Sequence, residues 1–308
     1  MSVSVVPYTR ELLDDIVAIF NREHAPFEFV APLSPELFET QLAAKSVFSA
    51  EGCPILMQGA KAVGFALTCC KQEIGAAKPD LTVGVIDGMF FPSDRLDLGE
   101  QLLRHCLSHL RARGARTTYG FASHGGYPFW RGLYMGLEPV CLTAYTHMWI
   151  AFMGAGFEHH QQSLNYLGPP RGLPYRQDLE YRLADVHVSD AWESDSWRGH
   201  RPQRLAACID GEQVGAISFA ELPFLSDHRG LSVAGISGMS VIPNMRRQGI
   251  ASSLMGRLFD VLSDAGVNEI LVGTTVQNAA ARRTYEKAGM RVIAFRTGTR
   301  RAVDRPVV

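Results

Sequence analysis

No apolar run in the 308 residues is long enough to cross a bilayer as a helix, which takes about 20 consecutive apolar residues. The opening segment, Met1 to Pro7, has no basic residues ahead of an apolar stretch, so no secretory leader is read there. The expectation is a cytoplasmic protein with no membrane role. An excess of charge is missing too, since 30 Lys and Arg stand against 31 Asp and Glu. No broad field therefore draws the chain to nucleic acid. Cysteine is sparse and unpatterned. Cys53, Cys69, Cys70, Cys106, Cys141 and Cys208 form no Cys-x-x-Cys pair, and they read as reduced core residues rather than disulfides or metal ligands. His159 and His160 have no second ligand pair nearby, so no metal site is expected. Two catalytic signatures are absent as well. Nothing matches Gly-x-x-x-x-Gly-Lys, which excludes an ordinary P-loop. Ser237, in Gly235-Ile-Ser237-Gly238, lacks the glycine two places on that a nucleophile elbow needs.

What the chain does have is the balance of a globular protein, 46% hydrophobic and 20% charged, at about twice the usual single-domain length. Two well-patterned regions flank a polar stretch crowded with Gly and Pro, from Met153 through Pro174. The reading is a domain over 1–152, a linker over 153–175 and a second domain over 176–308. Each region carries a hairpin pattern. In the first, Pro54–Gln58 and Val63–Cys69 flank Gly59–Lys61. In the second, Arg204–Ile209 and Val214–Phe219 flank Asp210-Gly211, a two-residue turn signal. Both regions then repeat strand, turn, helix, strand, helix, strand. This is an α/β organisation, of α+β mixed-sheet type.

The sharpest local signal is the run from Val241 to Leu254. An apolar strand enters a turn with Arg246, Arg247, Gln248 and Gly249, and a helix begins with Ile250, Ala251 and Ser252. Ile250, Leu254, Leu258, Val261 and Leu262 recur at helical spacing, and Ala265-Gly266 ends the helix. Backbone N–H groups in the first helical turn have no intrahelical partner, and the helix dipole adds positive potential there. Gly249 allows close backbone approach. A pyrophosphate is the expected guest.

This strand, turn and helix resemble motif A of the GNAT superfamily, the acyl-CoA-dependent N-acyltransferases, whose loop reads Arg/Gln-x-x-Gly-x-Gly/Ala. Here those positions are Arg246, Gly249 and Ala251. The next helix region, Asn278 to Met290, resembles the family's motif B, Asn-x-x-Ala-x-x-x-Tyr-x-x-x-Gly-Phe, with Asn278, Ala281, Tyr285 and Gly289 in place and Met290 for the final Phe. Seven residues are close to two helical turns, so Asn278 and Tyr285 share a face. The resemblance implies two tandem GNAT-like domains that take acetyl-CoA as cosubstrate and transfer acetyl to a small-molecule or peptide amine. It implies that Asn278 holds the pantetheine arm and that Tyr285 protonates the departing thiolate. It further implies that N–H groups near Met239 and Val241 bind the pantetheine and the thioester oxygen. A homodimer is compatible with this reading. So is a non-enzymatic acyl-CoA sensor.

The base is the thin part of the pattern. Many relatives carry a carboxylate on the strand before the loop, where this chain has Ser237-Gly238. Glu221 and His228 are the candidates, with Asp227 or a water on Ser237 behind them; His has the right pKa range. The first half carries a reduced copy of the loop. Pro92 and Arg95 match Pro243 and Arg246, Gly99 stands for Ala251, nothing stands for Gly249, and Asp94, Asp97 and Glu100 bring charge hostile to phosphate. On this alignment Asp87 takes the place of Gly238. The motif B counterpart, His124 to Gly136, keeps only its last Gly. The first half therefore reads as degenerate. Between Tyr181 and Arg204 there is room for at most one short helix. The basic stretch Arg296 to Arg305 reads as a solvated tail, with contact to the 3′-phosphate of CoA as the alternative.

Overall fold

The computed structural model describes residues 2–27, 29–71, 79–120, 129–130, 145–186 and 201–302. The chain order is β1 (Val3–Val6), α1 (Leu13–His24), the single turn α2 (Pro35–Leu37), β2 (Ile55–Gln58), β3 (Lys61–Lys71), β4 (Asp80–Phe90), α3 (Leu96–Ala112), β5 (Thr117–Gly120), α4 (Thr146–Gly154) and β6 (Glu158–Gly168). It continues with β7 (Glu180–Asp185), β8 (Gln203–Ile209), β9 (Glu212–Glu221), α5 (Pro223–Arg229), β10 (Val233–Val241), α6 (Ile250–Asp264), β11 (Glu269–Thr275), α7 (Ala279–Lys287) and β12 (Arg291–Ala302). The twelve strands among the described residues join one mixed sheet, ordered β1-β2-β3-β4-β5-β12-β6-β11-β10-β9-β8-β7.

That order has internal symmetry. On each side, antiparallel strands lead to a parallel pair joined by a crossover helix: β4 and β5 across α3, and β10 and β11 across α6. The β8–β9 connection is the expected Asp-Gly turn, with Asp210 at φ 51° and Gly211 at φ 83°, the left-handed pair that a type I′ hairpin requires. Helix α6 buries Ile250, Leu254, Leu258 and Leu262 together with Met255 and Phe259. Helix α7 ends on Gly289 at φ 76°, where Met290 N–H donates to Tyr285 O at 3.1 Å, the C-terminal geometry glycine favours.

The centre of the sheet departs from the sequence reading. Residues 153–175, expected as a linker, contain the 11-residue strand β6. It pairs with β11 from Ser163↔Thr275 to Gly168↔Ile270, and with β12 on its other edge. Strand β12 in turn reaches β5, from Thr299↔Gly120 to Ala302↔Thr117. The closing strands of the two halves are thus exchanged across the middle of the sheet. Polar side chains at Gln161 and Gln162 hid β6, because a strand paired on both edges gains backbone hydrogen bonds whatever its side chains are. Between β6 and β7 only 169–179 is a connector. It lies so close to α6 that a Cβ on Gly256 would come within 2.9 Å of Leu173 O.

The segment from Arg296, read as a solvated tail, runs within β12 as far as Ala302, with Arg296 and Arg301 buried. The alignment of the halves also shifts by one residue. The bulge on β4 falls at Asp87 and that on β10 at Ser237, so Asp87 corresponds to Ser237 rather than to Gly238. Cys53, Cys69, Cys70, Cys106 and Cys208 are buried free thiols. Cys141, the span 124–128 with 131–136, and the proposed helix between Tyr181 and Arg204 lie outside the described residues, apart from strand ends.

Candidate active site

The site begins where two parallel strands part. Strands β10 and β11 pair from Val233↔Glu269 to Ile236↔Val272 and no further. Beyond the bulge at Ser237, β10 stays with β9 as far as Val241↔Gly215, while β11 stays with β6 as far as Thr275↔Ser163. Backbone groups of Ser237–Val241 that face β11 therefore have no strand partner. A strand edge left open in this way needs other hydrogen-bonding partners, and an acyl-pantetheine arm offers amides and a carbonyl. Met239 and Val241, both half-buried, lie on this stretch of β10.

The loop that follows is built for an anion. Pro243–Met245 forms one tight helical turn, Arg247 lies at φ 63°, and Gly249 caps α6 at φ 81°. A non-glycine residue in the left-handed region is strained by about 1–3 kcal/mol and marks functional loops. An added Cβ on Gly249 would meet nothing within 4 Å, so the space above the helix start is open. Among the described residues the first helical bond is Ser253 N–H to Gly249 O at 2.9 Å. The N–H groups of Ile250, Ala251 and Ser252 thus remain available, as the first turn of a helix dictates.

Side chains hold the loop. Arg246 Nε donates to Val241 O at 3.0 Å and Gln248 Nε2 to Asn244 O at 3.2 Å. Arg176 Nη1 donates to Gln248 O at 3.2 Å, and Ser253 Oγ accepts from Arg176 N–H at 3.3 Å. Sequence reading missed Arg176, which is remote in the chain and reaches the loop only because 169–176 lies over α6.

Tyr285, on α7, is 4% exposed and its ring centroid lies 5.5 Å from that of Tyr166 on β6. Burial, with a smaller effect from Tyr166, pushes its pKa up to about 12, so it is a neutral phenol at physiological pH. Tyr166 donates to Glu286 Oε1 at 3.1 Å. Asn278 caps α7, its Oδ1 accepting from Ala281 N–H at 3.2 Å; the capping oxygen is committed and the amide NH2 is left for a ligand.

The base candidates are not brought to the loop. Glu221 ends β9 opposite Ala234, three residues before the bulge, about 10 Å along the strand. His228 is exposed in the last turn of α5. That helix is tied elsewhere: Arg229 pairs with Glu269 at 2.8 Å and lies 4.5 Å over the Phe29 ring of the first half. At the bulge itself, Ser237 is exposed and its Oγ donates to Ser218 O at 3.2 Å.

The matching place in the first half is filled. Buried Asp87 accepts from Phe129 N–H at 3.0 Å through Oδ2, and its carbonyl accepts from the Trp130 indole at 2.9 Å. Buried Lys45 donates to Phe129 O at 2.7 Å. Asp87 is thus a structural partner for Phe129 and Trp130. Gly99 also has a packing role, since a Cβ there would lie 2.3 Å from the Phe91 ring. At the start of α3, Asp97 pairs with Arg95 at 2.6 Å, and that hydrogen bond holds its carboxyl below the usual range.

Residues 171–290 match the acetyltransferase (GNAT) family. That match lies in the second half of the chain, and the loop, splayed strands and motif B helix all fall within it. Over its full length the chain has the fold of tandem GNAT proteins. It is similar to a tandem GNAT protein from the clavulanic acid biosynthesis pathway, at 13% identity and a TM-score of 0.66, covering 99% of this chain and all of that one (100%). It is also similar to a GCN5-related N-acetyltransferase from Sphaerobacter thermophilus, at 15% identity and a TM-score of 0.68, covering 99% and 97%. At these identities the likeness concerns fold. In sequence, 63 residues are 38% identical to N-alpha-acetyltransferase 30 of Schizosaccharomyces pombe, spanning 20% of this chain and 42% of that protein. No helix among the described residues is long and apolar enough to cross a membrane.

Proposed function

We propose that the second half binds acetyl-CoA and transfers its acetyl group to an amine. The observation that carries this is the open splay beyond Ile236↔Val272, leading to a loop with clear space above left-handed Gly249. N–H groups of Ile250, Ala251 and Ser252, free of intrahelical partners, hold the pyrophosphate, with Arg246 and Arg247 adding positive charge. Backbone N–H groups on the open edge of β10, at Met239 and Val241, hold the pantetheine and polarise the thioester carbonyl. The Asn278 NH2 serves the pantetheine amides. The amine nitrogen attacks the carbonyl carbon, the N–C bond forms, and the C–S bond breaks as the thiolate takes the Tyr285 proton. The proton lost by the amine leaves through water at the exposed Ser237–Gly238 bulge, in place of Glu221 or His228.

A second reading, acyl-CoA binding without turnover, is favoured by one feature: the bulge carries Ser237 and Gly238 and no carboxylate. One experiment separates the two. Purified protein is titrated with acetyl-CoA, then assayed for free CoA with a panel of amines. Because the fission-yeast relative is named an N-alpha-acetyltransferase, the panel includes peptide N-termini. Binding with CoA release supports transfer; binding without release from any amine supports the sensor. No binding overturns both.

A further inference from the structure

The connector after β6 is stapled beside the phosphate loop at Arg176. Its N–H donates to Ser253 Oγ in the first turn of α6 at 3.3 Å, and its carbonyl accepts from the Tyr181 hydroxyl on β7 at 3.1 Å. Both bonds are made by the main chain, so the place of residue 176 does not depend on its side chain. The side chain does something else. Nη1 donates to Gln248 O at 3.2 Å, while the Asp178 carboxylate accepts from Nε at 3.0 Å and also from Nη2. This two-point pairing fixes the plane of the guanidinium and offsets its charge.

The peptide that Arg176 grips is the one in the loop most able to turn over. Gln248 lies between Arg247 at φ 63° and Gly249 at φ 81°. Glycine takes positive and negative φ about equally well, so Gly249 offers little resistance to rotation of the Gln248–Gly249 peptide plane. Such a rotation would reverse the direction of the Gly249 N–H. The peptide is trans, and in a planar trans peptide C=O and N–H point in opposite directions. With Gln248 O held by Arg176, the Gly249 N–H is aimed away from the connector, and it has no backbone acceptor among the described residues. It adds a fourth donor to those of Ile250, Ala251 and Ser252.

We infer that Arg176 is a positioning residue for the pyrophosphate of the acyl donor, acting through Gln248 to keep the Gly249 N–H turned toward the phosphates. This rests on the acetyl-CoA reading above. The role is one of geometry, because Asp178 already neutralises the guanidinium. Arg176 therefore governs how strongly the protein prefers a donor that carries the pyrophosphate over one that lacks it.

The test changes Arg176→Met and Asp178→Asn together in the full-length protein, which removes the grip and leaves the net charge as it was. The main-chain bonds to Ser253 and Tyr181 remain, so the connector stays docked. Calorimetry should show acetyl-CoA binding weakened by about 10-fold, the worth of one hydrogen bond to a charged group. In turnover the loss belongs in KM for acetyl-CoA, with kcat nearly constant. The ratio of kcat/KM for acetyl-CoA to that for S-acetylpantetheine, which has no pyrophosphate, should fall by the same factor. Acetyl-CoA affinity within about twofold of wild type, well under that factor, overturns the inference. An equal loss with both donors also overturns it, since the pair would then support the site as a whole. If acetyl-CoA binds and no amine is acetylated, the transfer reading has failed, and the dissociation constants of the two donors decide alone by the same comparison. No acetyl-CoA binding in wild type overturns the inference together with the reading it rests on.

Discussion

Replacing Tyr285 with Phe tests the proposed chemistry against packing in one variant. The ring fills a site only 4% exposed, beside Tyr166, and Phe keeps that ring. The hydroxyl has no hydrogen-bond partner among the described residues, so its loss should change Tm little or raise it slightly. Catalysis should suffer far more, because a positioned proton donor is worth about 10²- to 10⁴-fold. The fall belongs in kcat, with KM for acetyl-CoA nearly constant, since the hydroxyl matters only as negative charge develops on sulfur. It should shrink with an aryl thioester, whose thiolate leaves without protonation. Stability against pH supplies an independent check. Burial raises the folded-state pKa to about 12 from 10.0, so folding favours the neutral phenol. That contribution is full below about pH 10 and is lost as pH rises toward about 12. Wild type should therefore lose more stability than Tyr285→Phe between about pH 9 and about pH 11 in denaturant unfolding. A kcat within about twofold of wild type, well under the general-acid range, would refute the donor role.

Three further outcomes follow from the asymmetry between the halves. Gly249→Asp should abolish acetyl-CoA binding in calorimetry while the fold survives, since the added atoms enter open space at a cost of about 1–3 kcal/mol for the left-handed backbone; wild-type affinity would remove the loop from the site. Titration should give one acetyl-CoA per chain, because Phe129 and Trp130 fill the first-half site around Asp87, and two equivalent sites would contradict that. Gly99→Ala should lower stability by about 1–3 kcal/mol, as its Cβ collides with the Phe91 ring, yet leave acetyl-CoA affinity intact. A variant as stable as wild type would show that this glycine does no packing work.

Local signals in the sequence determined much of this protein. Gly249 and Gly289 sit in the left-handed turns their motifs imply, Asp210-Gly211 makes its hairpin, and the Ile250–Leu262 periodicity makes its buried helix face. Each depends on a few adjacent residues, where backbone preference and side-chain period suffice. Tertiary structure alone decided the rest. Strand β6 reads as a polar linker until β11 and β12 pair with both its edges. Arg176 comes to the loop only through the path of the connector after β6 over α6. Glu221 and His228 are carried away from the loop by the register of β9 with β10 and by α5 docking on the first half. Pairing between strands far apart in the chain is set by the whole sheet's hydrogen bonding and burial, which no window of sequence contains.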